Sequence, residues 1–166
     1  GSMVNQALAD RKLTIPYLIG GGIGAGGQII GALASGASGV VIGTRFLVAS
    51  EIKAHDDYKH ALIAATERDT ALSLHSVRNT IRTMKNETTD IVAKLEADDP
   101  EIGIEALMPY ISGAIGRKAY ETGDVSRGLL SAGQALGLTD RMASLAEIVA
   151  ELEDEAATAL ARLCPA

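Results

Sequence analysis

The stretch LIGGGIGAGGQIIGALASGASGVVIGTRFL, residues 18–47, constrains the fold more than any other part of the chain. Two short apolar runs, residues 15–19 and 40–42, flank a glycine-rich turn at 20–27 and a helical spacing of Ile29, Ile30, Ala32 and Leu33. Pro16 is tolerated because a missing N–H costs little near the start of a strand. Gly36 stands where a helix often ends in a left-handed residue. The order strand, turn, helix, strand predicts a βαβ unit whose parallel strands are buried on both faces.

With 47% hydrophobic residues among 166, the chain is long enough for one domain with a substantial core. That core must be aliphatic, since there is no Trp, one Phe and four Tyr. Beyond residue 50 the periodicity turns mostly helical. Tyr58, Ala61, Leu62 and Ala65 form one stripe, and Ile91, Val92 and Leu95 a short second one. Ile104, Leu107, Met108, Ile111 and Ile115 predict a third helix, with Pro100 admissible in its first turn. The clearest stripe is Leu145, Ile148, Val149, Leu152, Leu160 and Leu163, which Thr139 or Ser144 would cap, the latter in a capping box with Glu147. Residues 69–87 have weak periodicity and read as an extended crossing segment. Residues 4–12 read as the end of a helix, and Gly1 and Ser2 as a cloning remnant outside the fold.

Glycines at the end of a strand open backbone angles closed to other residues and let amide N–H groups approach an anion without an intervening Cβ. A helix beginning near Gly26 adds its positive N-terminal end, so phosphate is the natural guest. No Gly-Lys-Ser/Thr closes the loop as a Walker A motif requires. The strand over 40–44 ends in Gly-Thr and not in the acidic residue that holds a ribose in dinucleotide folds. A second glycine with a hydroxyl, Gly43-Thr44, at the next strand end points instead to the shared phosphate site of the last loops of a (β/α)8 barrel.

These residues, with EIKAHDDYKHALIAATERDT after them, resemble the C-terminal part of the nitronate monooxygenase family of flavoproteins, a region shared with flavin-dependent enoyl-acyl-carrier-protein reductases. The resemblance rests on Pro16, Gly21, Gly22, Ile23, Gly36, Ala37, Gly43, Thr44, Arg45 and Phe46. It continues through His55, Tyr58, Lys59, Asp69, Thr70, Arg82, Asn86 and GQALGL at 133–138. It implies an α/β fold: the last two parallel strands of an FMN-binding (β/α)8 TIM barrel over residues 4–50, followed by a mostly helical extension over 51–166. It implies FMN as cofactor, with Gly21, Gly22, Gly43 and Thr44 on its phosphate and Gln134 and Ser131 approaching its ring. It also implies oxidation of alkyl nitronates with dioxygen, or alternatively reduction of an enoyl thioester. Ala25 and Gly27 depart from the pattern, because the family often carries Asp and Arg there.

Two strands are not a barrel. A complete one needs eight strands and roughly 250 residues, so the chain reads as the C-terminal portion of such an enzyme or as a non-catalytic half of a split flavoprotein. Unpaired strand edges predict self-association or pairing with the missing N-terminal barrel half. His55, His60 and His75 lack a convergent acid or nucleophile and are poor catalytic bases, so no catalytic residue is assigned, and no His/Cys spacing suits a metal. A net charge of −6 without a basic cluster argues against nucleic acid and favours a small-molecule substrate. A single cysteine, Cys164, and the lack of a signal segment or membrane-length apolar run predict a soluble cytoplasmic protein.

Overall fold

The computed structural model describes residues 1–163; Cys164 lies outside the described residues. Helix α1 (Ser2–Asp10) is capped by Gly1, so the two residues expected to lie outside the fold begin its first helix. Asn5 secures α1 by donating to the Ser35 carbonyl at 2.9 Å and accepting from the Tyr17 hydroxyl at 2.8 Å.

The βαβ unit is present in the expected order. Strand β1 (Leu18–Gly20) leads through the glycine turn into α2 (Gly26–Ala34), and β2 (Gly39–Val41) returns parallel to β1. The register pairs Leu18 with Gly39, Ile19 with Val40 and Gly20 with Val41, which leaves the two strand ends level. Gly36 has φ +91 beyond the end of α2, as the sequence implied. Burial on both strand faces is not observed: Leu18 is 58% and Val41 55% exposed, because β1 and β2 have only each other as partners.

The remainder is α/β and not wholly helical. Helix α3 (Asp56–Ala64) precedes β3 (Thr70–Ser73) and β4 (Ile81–Met84), an antiparallel pair lying in the segment expected to be a simple crossing. Its alternation was masked because buried positions are filled by Thr70, Ser73 and Thr83. Helix α4 (Glu87–Asp98) is capped by Asn86, whose side chain accepts from the Thr89 amide at 3.2 Å. The single helix expected over Ile104 to Ile115 is two, α5 (Ile104–Ile111) and α6 (Gly113–Thr122). Pro109 contributes no N–H to α5, and Ser112 is extended with ψ 141 between the helices. Gly103, not Pro100, precedes the first turn.

Helix α7 (Leu145–Leu163) runs along α2 and makes its most extensive contact there. Ser144 and Glu147 form the expected box, with the Glu147 carboxylate 2.7 Å from both the Ser144 amide and hydroxyl. Thr139 is instead buried, its hydroxyl donating to the Ala135 carbonyl. Tyr58, Leu62, Leu130 and Leu136 are fully buried in one cluster; burying each of the three leucines contributes about 1.5–3 kcal/mol. Ile148 and Leu152 of α7 form a second cluster with Ala49 and Ala143, against which Ile29, Ile42 and Phe46 pack. This cluster fixes the helical layer beneath the parallel strands.

Gly26 is the point of closest approach, since a Cβ there would lie 2.2 Å from the Ala156 nitrogen. Gly31, exposed on the same helix, would meet nothing within 4 Å. Gly26→Ala should therefore lose about 1–3 kcal/mol of stability by overpacking, whereas Gly31→Ala should gain about 1 kcal/mol from helix propensity, both read by urea unfolding. Hydrogen bonds from the Ser144 amide and then its hydroxyl hold the Glu147 carboxyl below its ordinary value. A lowered folded-state value means that this contribution is present above the ordinary carboxylate range and lost as pH falls through the lowered one. Glu147→Gln should accordingly flatten the acid limb of a stability-versus-pH profile.

Candidate functional site

The level ends of β1 and β2 place two glycine-containing loops side by side. Gly21 and Gly22 follow β1 with φ +99 and +72, conformations that side-chain-bearing residues rarely adopt. Gly43 and Thr44 follow β2, where Thr44 opens a short 3-10 turn reaching Phe46. These four residues line one cavity of about 410 Å³, together with Ile23, Val41, Leu47, Arg82, Ser131, Ala132 and Gly133.

The cavity's third wall comes from residues 131–133. Thr83 of β4 bridges to Ser131, and the Met84 amide donates to the Leu130 carbonyl at 2.9 Å, so the hairpin carries this segment across the strand ends. The Gly133 amide then donates to Thr44 Oγ1 at 2.8 Å. A Cβ on Gly133 would stand 3.3 Å from Thr44 Oγ1 and 3.8 Å from the Gly22 nitrogen, which measures how closely the three segments meet. Gly133 opens the GQALGL stretch noted in the sequence but was given no site role there.

The backbone is uncovered at the strand-end glycines of this wall. A Cβ added to Gly21, Gly22 or Gly43 would meet nothing within 4 Å, so the wall there is bare main chain. Gln28 orders it: its Nε2 donates to the Gly22 carbonyl at 3.1 Å while its Oε1 accepts from the Gly24 and Ala25 amides at 2.8 and 3.1 Å. Because the peptide is planar and trans, holding the Gly22 carbonyl toward α2 directs the Ile23 N–H the opposite way. The amides of Gly22, Ile23, Gly43 and Thr44 have no acceptor among the described residues.

The N-terminus of α2 does not serve the cavity as the sequence implied. Its Gly26 amide donates to the Glu155 carboxylate at 2.7 Å, so an anion of the chain itself already occupies the positive end of the helix. Arg45, directly after Thr44, is likewise held by α7: it is buried and donates from Nη2 to Glu151 at 2.9 Å. Arg141 pairs with the other oxygen of Glu151. Glu151 and Glu155, one helical turn apart, thus secure the segments behind both loops.

Ser131 lies on the cavity wall, whereas Gln134 is exposed at the start of a second 3-10 turn, Gln134–Leu138, and is not among the lining residues. His55 caps α3, accepting from the Asp57 amide at 3.2 Å. His75 lies beside Thr80 on the hairpin loop, and His60 is exposed on α3. None of the three lines the cavity. No described helix is long and apolar enough to cross a membrane.

The nitronate monooxygenase family model matches residues 2–155. The chain belongs to the nitronate monooxygenase family. It is 31% identical to a nitronate monooxygenase of Paraburkholderia phytofirmans over 93% of this chain and 42% of the relative. A nitronate monooxygenase of Neurospora crassa is 27% identical over 93% of this chain and 40% of its own length. Among solved structures, FabK from Thermotoga maritima matches with TM-score 0.82 and 27% identity, covering 92% of this chain and 48% of that one. A nitroalkane oxidase from Streptomyces ansochromogenes matches with TM-score 0.70 and 27% identity, covering 93% and 43%. The chain therefore spans about two fifths of the length of these nitronate monooxygenase relatives.

Thr44→Val keeps the side chain's shape but leaves the Gly133 amide without its acceptor. It should cost about 0.5–1.5 kcal/mol, the net contribution of a typical hydrogen bond. Faster hydrogen exchange at the Gly133 amide, measured by NMR, should accompany it.

Proposed function

We propose that the cavity holds the phosphate end of FMN and that this chain is the C-terminal portion of an FMN-dependent nitronate monooxygenase with a (β/α)8 barrel. The observation that carries the reading is the meeting of Gly21-Gly22 and Gly43-Thr44 on one cavity with unoccupied amides and no Cβ in the way. Those amides, and the Thr44 hydroxyl hydrogen left over after its oxygen accepts from Gly133, would hold the phosphate oxygens. Ser131 and, from its exposed turn, Gln134 would approach the ring. When bound, FMN would accept electrons from the nitronate and pass them to dioxygen; the protein's part is to bind, orient and exclude water.

The exposed Leu18 and Val41 side chains and the single pairing of β1 with β2 favour further barrel strands, supplied by the N-terminal half or by a second copy. On this reading residues 4–50 form the end of the barrel and the extension from residue 51 onward packs against it, and the substrate is a small molecule met within the larger assembly. One observation favours a second reading, reduction of an enoyl thioester with a nicotinamide through the same flavin: the chain superposes better on FabK than on the nitroalkane oxidase.

Purified chain mixed with FMN should retain it through gel filtration, with a visible flavin spectrum. Oxygen uptake driven by an alkyl nitronate should appear in the fraction that holds flavin and the other barrel strands. NAD(P)H oxidation dependent on an enoyl thioester, without nitronate turnover, would decide for the second reading. Failure of both FMN and inorganic phosphate to bind or to raise the melting temperature would overturn the site.

A further inference from the structure

Arg82 is the single ionisable residue on the cavity wall, and the proposed phosphate site gives it no role so far. It lies on β4 opposite Leu72, and its Nη1 donates to Thr70 Oγ1 at 2.8 Å, a bond along the hairpin that fixes the guanidinium and leaves Nη2 and Nε uncommitted. It is half-buried, yet among the described residues no carboxylate pairs with it. A guanidinium removed in part from water without a counter-ion is costly unless an anion completes it.

The charge balance of the wall sharpens this. The amides of Gly22, Ile23, Gly43 and Thr44 carry no formal charge, and the positive end of α2 is spent on Glu155. Arg45, the other cation close in sequence, is turned away to Glu151 and does not line the cavity. A phosphate monoester, with a charge of about −1.5 to −2 at neutral pH, would find only one formal positive charge here. No acidic side chain on the wall opposes it.

We infer that Arg82 is the counter-ion of the phosphate group in this cavity, closing from the hairpin side a site whose other donors are main-chain amides of the two strand ends. The inference rests on the phosphate-binding reading above and adds to it the residue that makes the site selective for a phosphorylated ligand. Main-chain amides give the shape of the seat, and Arg82 gives the charge discrimination between FMN and riboflavin. Because a guanidinium presents several donors in a fixed planar fork, it matches two phosphate oxygens bidentately, where an ammonium acts as a point charge. Thr70 acts through Arg82 as a positioning residue.

The test compares FMN, riboflavin and inorganic phosphate binding to wild type, Arg82→Gln, Arg82→Lys and Thr70→Val, by flavin fluorescence quenching and calorimetry at two salt concentrations. Arg82→Gln should weaken FMN about 10- to 100-fold, the range for losing a hydrogen bond between charged groups. It should leave riboflavin unchanged and flatten the salt dependence of FMN binding. Arg82→Lys should recover part of the loss, and Thr70→Val should show a smaller one. Should Arg82→Gln fail to fold, Arg82→Met, which keeps the aliphatic stem, replaces it. Equal losses for FMN and riboflavin, or unchanged FMN affinity in a folded variant, would overturn the role of Arg82 while leaving the phosphate site standing. A wild-type chain that binds neither FMN nor phosphate overturns both.

Discussion

The parallel pairing of Gly20 with Val41 is the constraint on which the rest depends. A shift of register by one residue would turn the slipped strand's side chains to the opposite face and offset the following loops along the strand direction. With the ends level, Gly21-Gly22 and Gly43-Thr44 reach the same cavity, and Gly133 can hydrogen-bond to one loop while lying close to the other. The βαβ crossover supplies that register, and the contact of α7 with α2 holds the crossover helix in place.

Electrostatically, the site divides labour between main chain and side chains. Gln28 and Glu155 take up the amides of residues 24–26, so only the loop amides nearer the strands remain for a ligand. Behind the second loop Arg45 is paired with Glu151, which Arg141 also engages, and lies 3.8 Å from Asp140. The cavity wall thus combines glycine main chain with the uncharged side chains of Ile23, Val41, Thr44, Leu47 and Ser131, and Arg82 is its single formal charge. In the first turn Ala25 and Gly27 offer no polar side chain, and the side-chain bonds of Gln28 order it.

Local backbone chemistry was legible in the sequence, and contacts between distant segments were not. Glycines with a helical stripe on one side and β-branched runs on the other revealed β1, α2, β2 and both loops, because each of these is dictated by nearby residues. The box of Ser144 and Glu147 was readable for the same reason. The hairpin was not, since Thr70, Ser73 and Thr83 occupy buried positions where an alternating pattern would need apolar residues. The division of α5 from α6 escaped because Ile111 and Ile115 keep helical spacing across the extended Ser112. The presence of Gly133 and Arg82 on the cavity depends on how the hairpin crosses the strand ends, which no short-range signal encodes.

Glu151 and Glu155 stand 106 and 129 positions after the groups they grip, Arg45 and Gly26. During synthesis, the early loops leave the ribosome long before their fasteners exist, and contacts so remote in sequence form late. Until α7 emerges, the ties from Glu151 and Glu155 to these segments cannot form, so the loops are fastened from behind only once that helix is made.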